Sequence, residues 1–341
     1  AREAAGGRSV VVFAEDERQR TRFFTDVEQG GYGLDGSWND DFHHACRVAA
    51  TGHAEYYYTE YQGSPQELIS VAKRGYLYQG QWHPRQEKFR GSPTRGLPAE
   101  RFVTFLQNHD QVANSATGQR LRTLTSPGRF RALTTFWLLA PGTPLFFQGQ
   151  EFDTTKPFHY FVDHPTDLAR LVREGRWKEM RRFGRVLGRE QSLSQTDPTA
   201  RETFEACVLD WSERDRNAEA VALHRDLLRL RREDPVFAAQ DAEAIEGAVL
   251  GPEAFLLRYY GADGDDRLVL VNLGRDLRGG PGAEPLAAPP PGADWTALFS
   301  SDDPRYGGPG AAPFDTKDWV VPGHAALVLA PRSEQEHPPE A

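Results

Sequence analysis

The strongest constraint on the fold is the apolar and β-branched run at 102–106, which leads directly into Asn108, His109 and Asp110. A run without polar alternation is typical of a parallel strand that is covered on both faces. In barrels of parallel strands, the chemistry lies at the carboxyl ends of the strands. The run therefore predicts a buried strand that delivers His109 and Asp110 to a site. An ordinary strand followed by a capped loop would also fit these residues alone.

A second apolar run, at 10–14, ends at Glu15. Carboxylates at the ends of neighbouring parallel strands suit glycosidic cleavage, in which one acid protonates the leaving oxygen and others stabilise positive charge on the sugar. The proton donor needs a raised pKa, which burial or nearby negative charge supplies. Glu15 lies behind its apolar strand and near other acids, so we expect it to be placed for that role.

Strand and helix patterns alternate up to Pro235, which predicts a parallel α/β arrangement. A strand at 76–80 and a long loop at 81–98 interrupt this order. Beyond Pro235, short strand patterns between Gly- and Pro-rich turns predict a small antiparallel sandwich. The predicted helices lie at 67–75, 128–140, 167–185 and 217–232, and the late strands at 254–260, 267–273, 295–299, 318–321 and 325–329.

Charge and cysteine content exclude several classes of protein. The formal net charge is -9, with basic and acidic residues interspersed, so the sequence predicts no nucleic-acid partner. The two cysteines, Cys46 and Cys207, are far apart and favour a reducing, cytoplasmic location. Prolines break the most apolar segment, 132–147, so we expect no membrane span, and no signal peptide is visible.

The segment 38–44 combines two aromatic residues, acids and two histidines. A metal site built from His43, His44, Asp40 and Asp41 is conceivable, but adjacent histidines on a helix point in different directions. The glycines at 30–36 lack the spacing of a dinucleotide-binding loop. We therefore predict no metal and no cofactor, and an aromatic platform that stacks sugar rings.

With these pieces together, the chain resembles the maltooligosyltrehalose trehalohydrolase family of the α-amylase clan. The clan motifs are Glu15, which resembles the end of the fifth barrel strand, His109 and Asp110, which resemble the end of the seventh, and 149–151, which resembles the end of the eighth. The narrower likeness lies in segments 38–44, 105–112, 157–164 and 203–211.

The resemblance implies a fold, an activity and roles for residues. The fold would be α/β: the C-terminal half of a (β/α)8 TIM barrel at 1–235, a β-sandwich at 236–332 and a disordered tail at 333–341. Glu15 would be the general acid and base, and Asp110 would stabilise the oxocarbenium-like state. The implied substrate-binding residues are His109, Trp38, Asn39, Asp41, His43 and Gln111.

The implied reaction is retaining hydrolysis of the α-1,4 bond next to the terminal trehalose, on a substrate supplied by maltooligosyltrehalose synthase. The clan nucleophile is an Asp two residues after an Arg, upstream of the acid. Gly33-Leu-Asp35 only superficially resembles it, so we expect a truncated chain without the nucleophile. The alternatives are a glucan branching enzyme or α-amylase of the same clan, and a catalytically inactive carbohydrate-binding fragment.

Overall fold

The structure is a computed structural model that describes residues 2–115, 117–187, 196–279, 282–310 and 314–333. Most of the predicted tail at 333–341 lies outside these residues, and Ser333 is the last residue of a strand. Within the described parts of the chain, no helix is long and apolar enough to cross a membrane.

The described strands and helices follow one another along the whole chain. The strands are β1 Phe13–Ala14, β2 Gly36–Trp38, β3 Gln79–His83, β4 Lys88–Gly91, β5 Phe102–Thr104, β6 Thr143–Pro144, β7 Ile245–Gly251, β8 Ala254–Tyr259, β9 Arg267–Asn272, β10 Leu277–Arg278, β11 Ala293–Ser300, β12 Val320–Val321 and β13 Ala325–Ser333. The helices are α1 Asp40–Thr51, α2 Pro65–Arg74, α3 His109–Ala113, α4 Leu121–Leu124, α5 Pro127–Leu139, α6 Thr166–Leu187, α7 Arg201–Cys207, α8 Ser212–Arg216, α9 Ala218–Glu233 and α10 Pro235–Ala238.

The first sheet confirms the predicted parallel arrangement. Strands β1, β2, β5 and β6 are neighbours in that order, and each neighbouring pair is parallel. Helices α1 and α2 lie between β2 and β5 in sequence, and α5 precedes β6, as alternating strands and helices require. Among the described residues these strands form an open four-stranded sheet.

The first strand is shorter than the apolar run that predicted it. Only Phe13 and Ala14 pair with β2, and Val11 is exposed. Val12 is held differently, because its backbone N–H donates to the Asp35 carboxylate at 2.6 Å. Strand β1 lies at the edge of the described sheet, so β2 is its one neighbour there. Its backbone pairing is therefore limited to the two residues that face β2.

A β-hairpin occupies much of the segment predicted as a strand followed by a loop. The strand at 76–80 is wrong in position, because the backbone N–H groups of Leu77 and Tyr78 donate to the Asp41 carboxylate instead of to a strand. Strand β3 begins at Gln79 and pairs with β4 in an antiparallel manner. The hairpin turn lies beside the end of β1, since Gln86 donates to Glu17 at 2.7 Å.

The second sheet is antiparallel, as predicted, with the order β11, β13, β9, β8, β7, and a separate ribbon pairs β10 with β12. Strand β7 was not predicted from the sequence. Gly247, Ala248 and Gly251 weaken its strand pattern, because small residues have low β propensity. Its place at the edge of the sheet leaves it half-exposed on one side.

Alternate residues of the central strands face two different cores. In β8, Phe255 and Leu257 pack with the helices, while Leu256 packs in a second cluster with Trp295 and Trp319. The first core also contains residues of α1, α2, α5 and α9, so the parallel sheet's helices and the antiparallel sheet share one apolar interior. This shared core fixes the position of the strand ends described next.

Candidate active site

A cleft of about 690 Å³ opens where the parallel strands end. Glu15 follows β1, Asp40 follows β2, and Asp110 lies in the polar segment after β5. Parallel strands present their carboxyl ends on one side of a sheet, which brings these three carboxylates together. The remaining lining residues are Glu17, His44, Arg47, His53, Glu55, Tyr57, Tyr58, Arg85, Gln86, Arg90, Gln111, Asn114, Ser115, Thr117, Gln119 and Leu124.

Glu15 and Asp110 were predicted from sequence, and the structure places both on this cleft. The side chain of Glu15 is exposed at the edge of the sheet, with Asp40 and Asp110 on the same cleft. The edge position of β1 explains the exposure, since no further strand of the described chain covers that side.

Asp110 is held at the start of α3 by its neighbours. The Asn108 side chain accepts hydrogen bonds from the backbone N–H groups of Asp110 and Gln111, at 2.9 and 3.2 Å, and so caps the helix. The Asn114 amide donates to the Asp110 carboxylate at 2.6 Å. Asn108 is therefore the residue that caps the helix after the strand, and Asp110 lines the cleft.

His109 and Trp38 lie beside one another, and neither is among the residues that line the cleft. Their rings meet edge to face with centroids 6.0 Å apart, and Trp38 also contacts Phe105 at 5.8 Å. Gln111, the other predicted binding residue of this segment, does line the cleft.

Three predicted substrate-binding residues of segment 38–44 are buried against their own chain. Asn39 caps α1 by accepting from Phe42 N–H and donates to the Gly75 carbonyl. The Asp41 carboxylate accepts a hydrogen bond from Tyr61 Oη at 2.6 Å and forms an ion pair with the guanidinium of Arg90. His43 Nδ1 bonds the Leu106 carbonyl at 2.8 Å. These contacts tie α1 to its surroundings, and Asn39, Asp41 and His43 are not among the residues that line the cleft.

The cleft instead receives Asp40 and His44 from this helix, together with Arg47. Sequence reasoning included Asp40 and His44 only as members of segment 38–44 and did not consider Arg47, although their spacing of four and three residues is the signal for one helix face. That signal required α1 to begin at Asp40, whereas the sequence pattern predicts a helical stretch only over 45–50.

Burial and neighbouring charges set the electrostatics of the cleft. Burial raises the pKa of Asp40 to about 7, the charges of Asp41, Asp110 and Glu15 add to the rise, and Arg90 opposes it. Burial holds the pKa of His44 well below its usual value, and nearby positive charges, including Arg90, push it further down. His44 is therefore neutral at physiological pH.

Two other predicted features lie outside the cleft. Asp35 is paired with Arg2 at 2.8 Å and bonded to Val12, so the described structure does not bring it to Glu15 and Asp110. The tip at 149–151 forms a short helical turn after β6 and contributes no residue to the lining. Among the residues described, no group of three or more potential ligands is arranged to hold a metal ion.

Comparison with known proteins places this geometry in a family. A domain of unknown function, DUF3459, matches residues 242–328. A malto-oligosyltrehalose trehalohydrolase from Deinococcus radiodurans is 39% identical over 276 residues, which is 80% of this chain and 44% of that protein. One from Arthrobacter ramosus is 36% identical over 70% of this chain and 42% of its own length. The chain thus spans less than half the length of these relatives.

Solved structures agree with the sequence relatives. A Salmonella typhimurium protein assigned as an α-amylase superposes with a TM-score of 0.76 at 30% identity, covering 96% of this chain and 52% of that one. The α-amylase from H. orenii shares the fold, with a TM-score of 0.53 at 18% identity over 97% of this chain and 55% of its own. The predicted resemblance is confirmed: the chain belongs to the malto-oligosyltrehalose trehalohydrolase family of the α-amylase clan.

Proposed function

We propose that this chain supplies part of the active site of a glycosidase that cleaves the α-1,4 bond next to the terminal trehalose of maltooligosyltrehalose. The observation that carries the proposal is that Glu15 and Asp110 line one cleft at the carboxyl ends of two strands, β1 and β5, of the same parallel sheet. The names of the relatives support the substrate, and the clan supports an α-glucan.

In this proposal Glu15 donates a proton to the oxygen of the leaving sugar and later removes one from the attacking water. Its exposure on the cleft gives it access to both. Asp110 accepts hydrogen bonds from sugar hydroxyls as positive charge develops on the ring, and Asn114 fixes its carboxylate. A retaining reaction also requires a carboxylate nucleophile, and the position of Asp35 offers no support for that role.

Two alternatives have their own support. The likeness to an assigned α-amylase favours cleavage or transfer within an α-glucan. The absence of Asp35 from the cleft favours sugar binding without turnover by the described chain. For the trehalohydrolase, a maltooligosyltrehalose synthase would supply the substrate. Buried, unpaired Cys46 and Cys207 support a reducing cytoplasm as its location.

Product analysis separates these functions. The whole enzyme to which this chain would contribute is incubated with maltooligosyltrehalose, and the products are resolved by anion-exchange chromatography. The proposal expects free trehalose, and no product from Glu15→Gln or Asp110→Asn. Asp35→Asn is the matched control and should retain turnover, because its carboxylate binds Arg2 outside the cleft.

Other outcomes overturn the proposal. Maltose or transfer products without trehalose would indicate an amylase or branching enzyme. Tight binding of the substrate by calorimetry, with no product, would assign the chain to carbohydrate binding alone.

A further inference from the structure

One face of α1 forms a polar wall of the cleft. Asp40, His44 and Arg47 all line it, and their positions i, i+4 and i+7 place them on the same side of the helix. The opposite face, with Phe42 and Cys46, packs in the core. At about 1.5 Å per residue the polar row is about 10 Å long. We call Asp40, His44 and Arg47 the α1 row.

His44 is the central member of the α1 row and is 7% exposed. Its ring packs edgewise against Tyr58 and Tyr61, with centroids 5.2 and 4.8 Å away, so its orientation is fixed. Within the described part of the chain its Nδ1 has no hydrogen-bond partner. Buried polar atoms are almost always paired, by protein, water or ligand, and an unpaired one needs an explanation.

The same lack of partners recurs around His44. Arg47 lies with its guanidinium 5.4 Å from the Tyr58 ring centroid, and its Nη1 has no hydrogen-bond partner among the described residues. In the same part of the chain Arg85 Nε of the hairpin turn and Gln111 Oε1 of α3, both from cleft-lining side chains, are also buried without a partner. Donors and acceptors without partners thus occur on the α1 face and on other sides of the cleft.

The mixture of charges indicates the chemistry of a ligand. An anion would meet the carboxylates Glu15, Glu17 and Asp110, and a cation would meet Arg47 and Arg85. A neutral ligand with many hydroxyl groups can donate to the first set and accept from the second. Asp40 lies at the end of the α1 row where Glu15 and Asp110 exert their electrostatic effect on it.

We propose that the α1 row is a sugar-binding subsite in which Asp40, His44 and Arg47 hydrogen-bond the hydroxyl groups of a sugar unit adjoining the catalytic carboxylates. This subsite rests on the proposed function, since it requires that the cleft receives an α-glucan or trehalose. His44 and Arg47 are binding residues in it and do not touch the reacting atoms.

Calorimetric titration of the purified chain with maltotetraose, and separately with trehalose, tests the subsite without depending on turnover. His44→Phe and Arg47→Met are expected to weaken binding of at least one sugar by about ten-fold, because each removes hydrogen bonds. His44→Gln and Arg47→Lys, which keep a polar group, should recover part of the loss. Arg74→Met, at the exposed end of α2, is the control and should bind as wild type.

The outcomes distinguish the two proposals. If the wild-type chain binds and both His44→Phe and Arg47→Met bind equally well, the subsite is wrong while the proposed function stands. If the wild-type chain binds neither sugar, both fail. Should His44→Phe lose its fold by circular dichroism, Arg47→Met and its lysine counterpart decide, because Arg47 is only half-buried.

Discussion

Asp41 and Arg90 form an ion pair at the wall of the cleft, with Oδ1 3.2 Å from Nη2 and both side chains almost completely buried. Asp41 lies in the first turn of α1, and Arg90 lies in β4 of the hairpin. The pair therefore fixes the hairpin, whose turn carries Arg85 and Gln86, against the helix that carries the α1 row. The geometry of the cleft depends on it.

Removing one partner of this pair should destabilise the protein strongly. Asp41→Asn leaves the Arg90 charge buried without a counter-charge, and we expect a loss of about 3–5 kcal/mol in the free energy of unfolding. Urea denaturation followed by circular dichroism measures it. Glu246→Gln breaks the more exposed pair with Lys73 and should cost less than about 1 kcal/mol. Equal losses in the two variants would contradict the role given to burial.

Asp40 should make stability depend on pH. Its pKa is raised from 3.8 to about 7 by burial, so the folded protein holds this proton more tightly than the unfolded chain does. The resulting stabilisation is complete below pH 3.8 and is lost as the pH rises to about 7. Asp40→Asn removes this contribution, because the amide stays neutral.

Urea midpoints at several pH values test this dependence. The stability of the wild type relative to Asp40→Asn should fall between about pH 4 and about pH 7. Asp35→Asn serves as the control of opposite sign, since burial is outweighed there by the Val12 and Arg2 hydrogen bonds and its pKa is lowered. A constant difference between wild type and Asp40→Asn would show that Asp40 is not held neutral.

The contrast between neighbours in segment 38–44 shows what the sequence could reveal about the site. Its polar composition correctly drew attention to the end of β2, because local side-chain types are visible in the sequence. Which of Asp40 and Asp41 faces the cleft depends on where α1 begins and on Arg90 and Tyr61, which are distant in sequence. Those partners become apparent only when the chain folds, so the sequence did not predict which side chains of α1 face the cleft.

The two sheets should unfold together. Phe136 of α5 stacks on Phe42 of α1 and meets Phe255 of β8 edge to face, each at 5.4 Å between ring centroids. Phe136→Ala should cost about 3–5 kcal/mol, because it opens a cavity in the core that both sheets share. Phe89→Ala, at a largely exposed side chain, should cost far less.

Coincident urea transitions by tryptophan fluorescence and circular dichroism would confirm this cooperativity. Two separated transitions, only one of them moved by Phe136→Ala, would mean that the sheets are independent domains.

The fold was more accessible from the sequence than the site was. Continuous apolar runs marked β5, β8 and β9, because these strands are covered on both faces. The hairpin of β3 and β4 gave no such signal, since Gln79, Gln81 and Lys88 are polar and its turn lacks the usual Asn-Gly or Asp-Gly. Burial pattern predicts strands well only where burial is the reason that they form.

Asn108 should act as a positioning residue for Asp110. Its side-chain oxygen accepts hydrogen bonds from the backbone N–H groups of Asp110 and Gln111 at the start of α3, and Asn108→Ala should cost about 1 kcal/mol of stability. Sugar binding should weaken as well, because the Asp110 carboxylate loses its fixed place at the helix start. Asn108→Asp can still accept these hydrogen bonds and should restore both properties, as measured by urea denaturation and by calorimetry with maltotetraose. If Asn108→Ala lowers stability but binds maltotetraose like the wild type, then Asn114 alone is sufficient to hold Asp110 in the cleft.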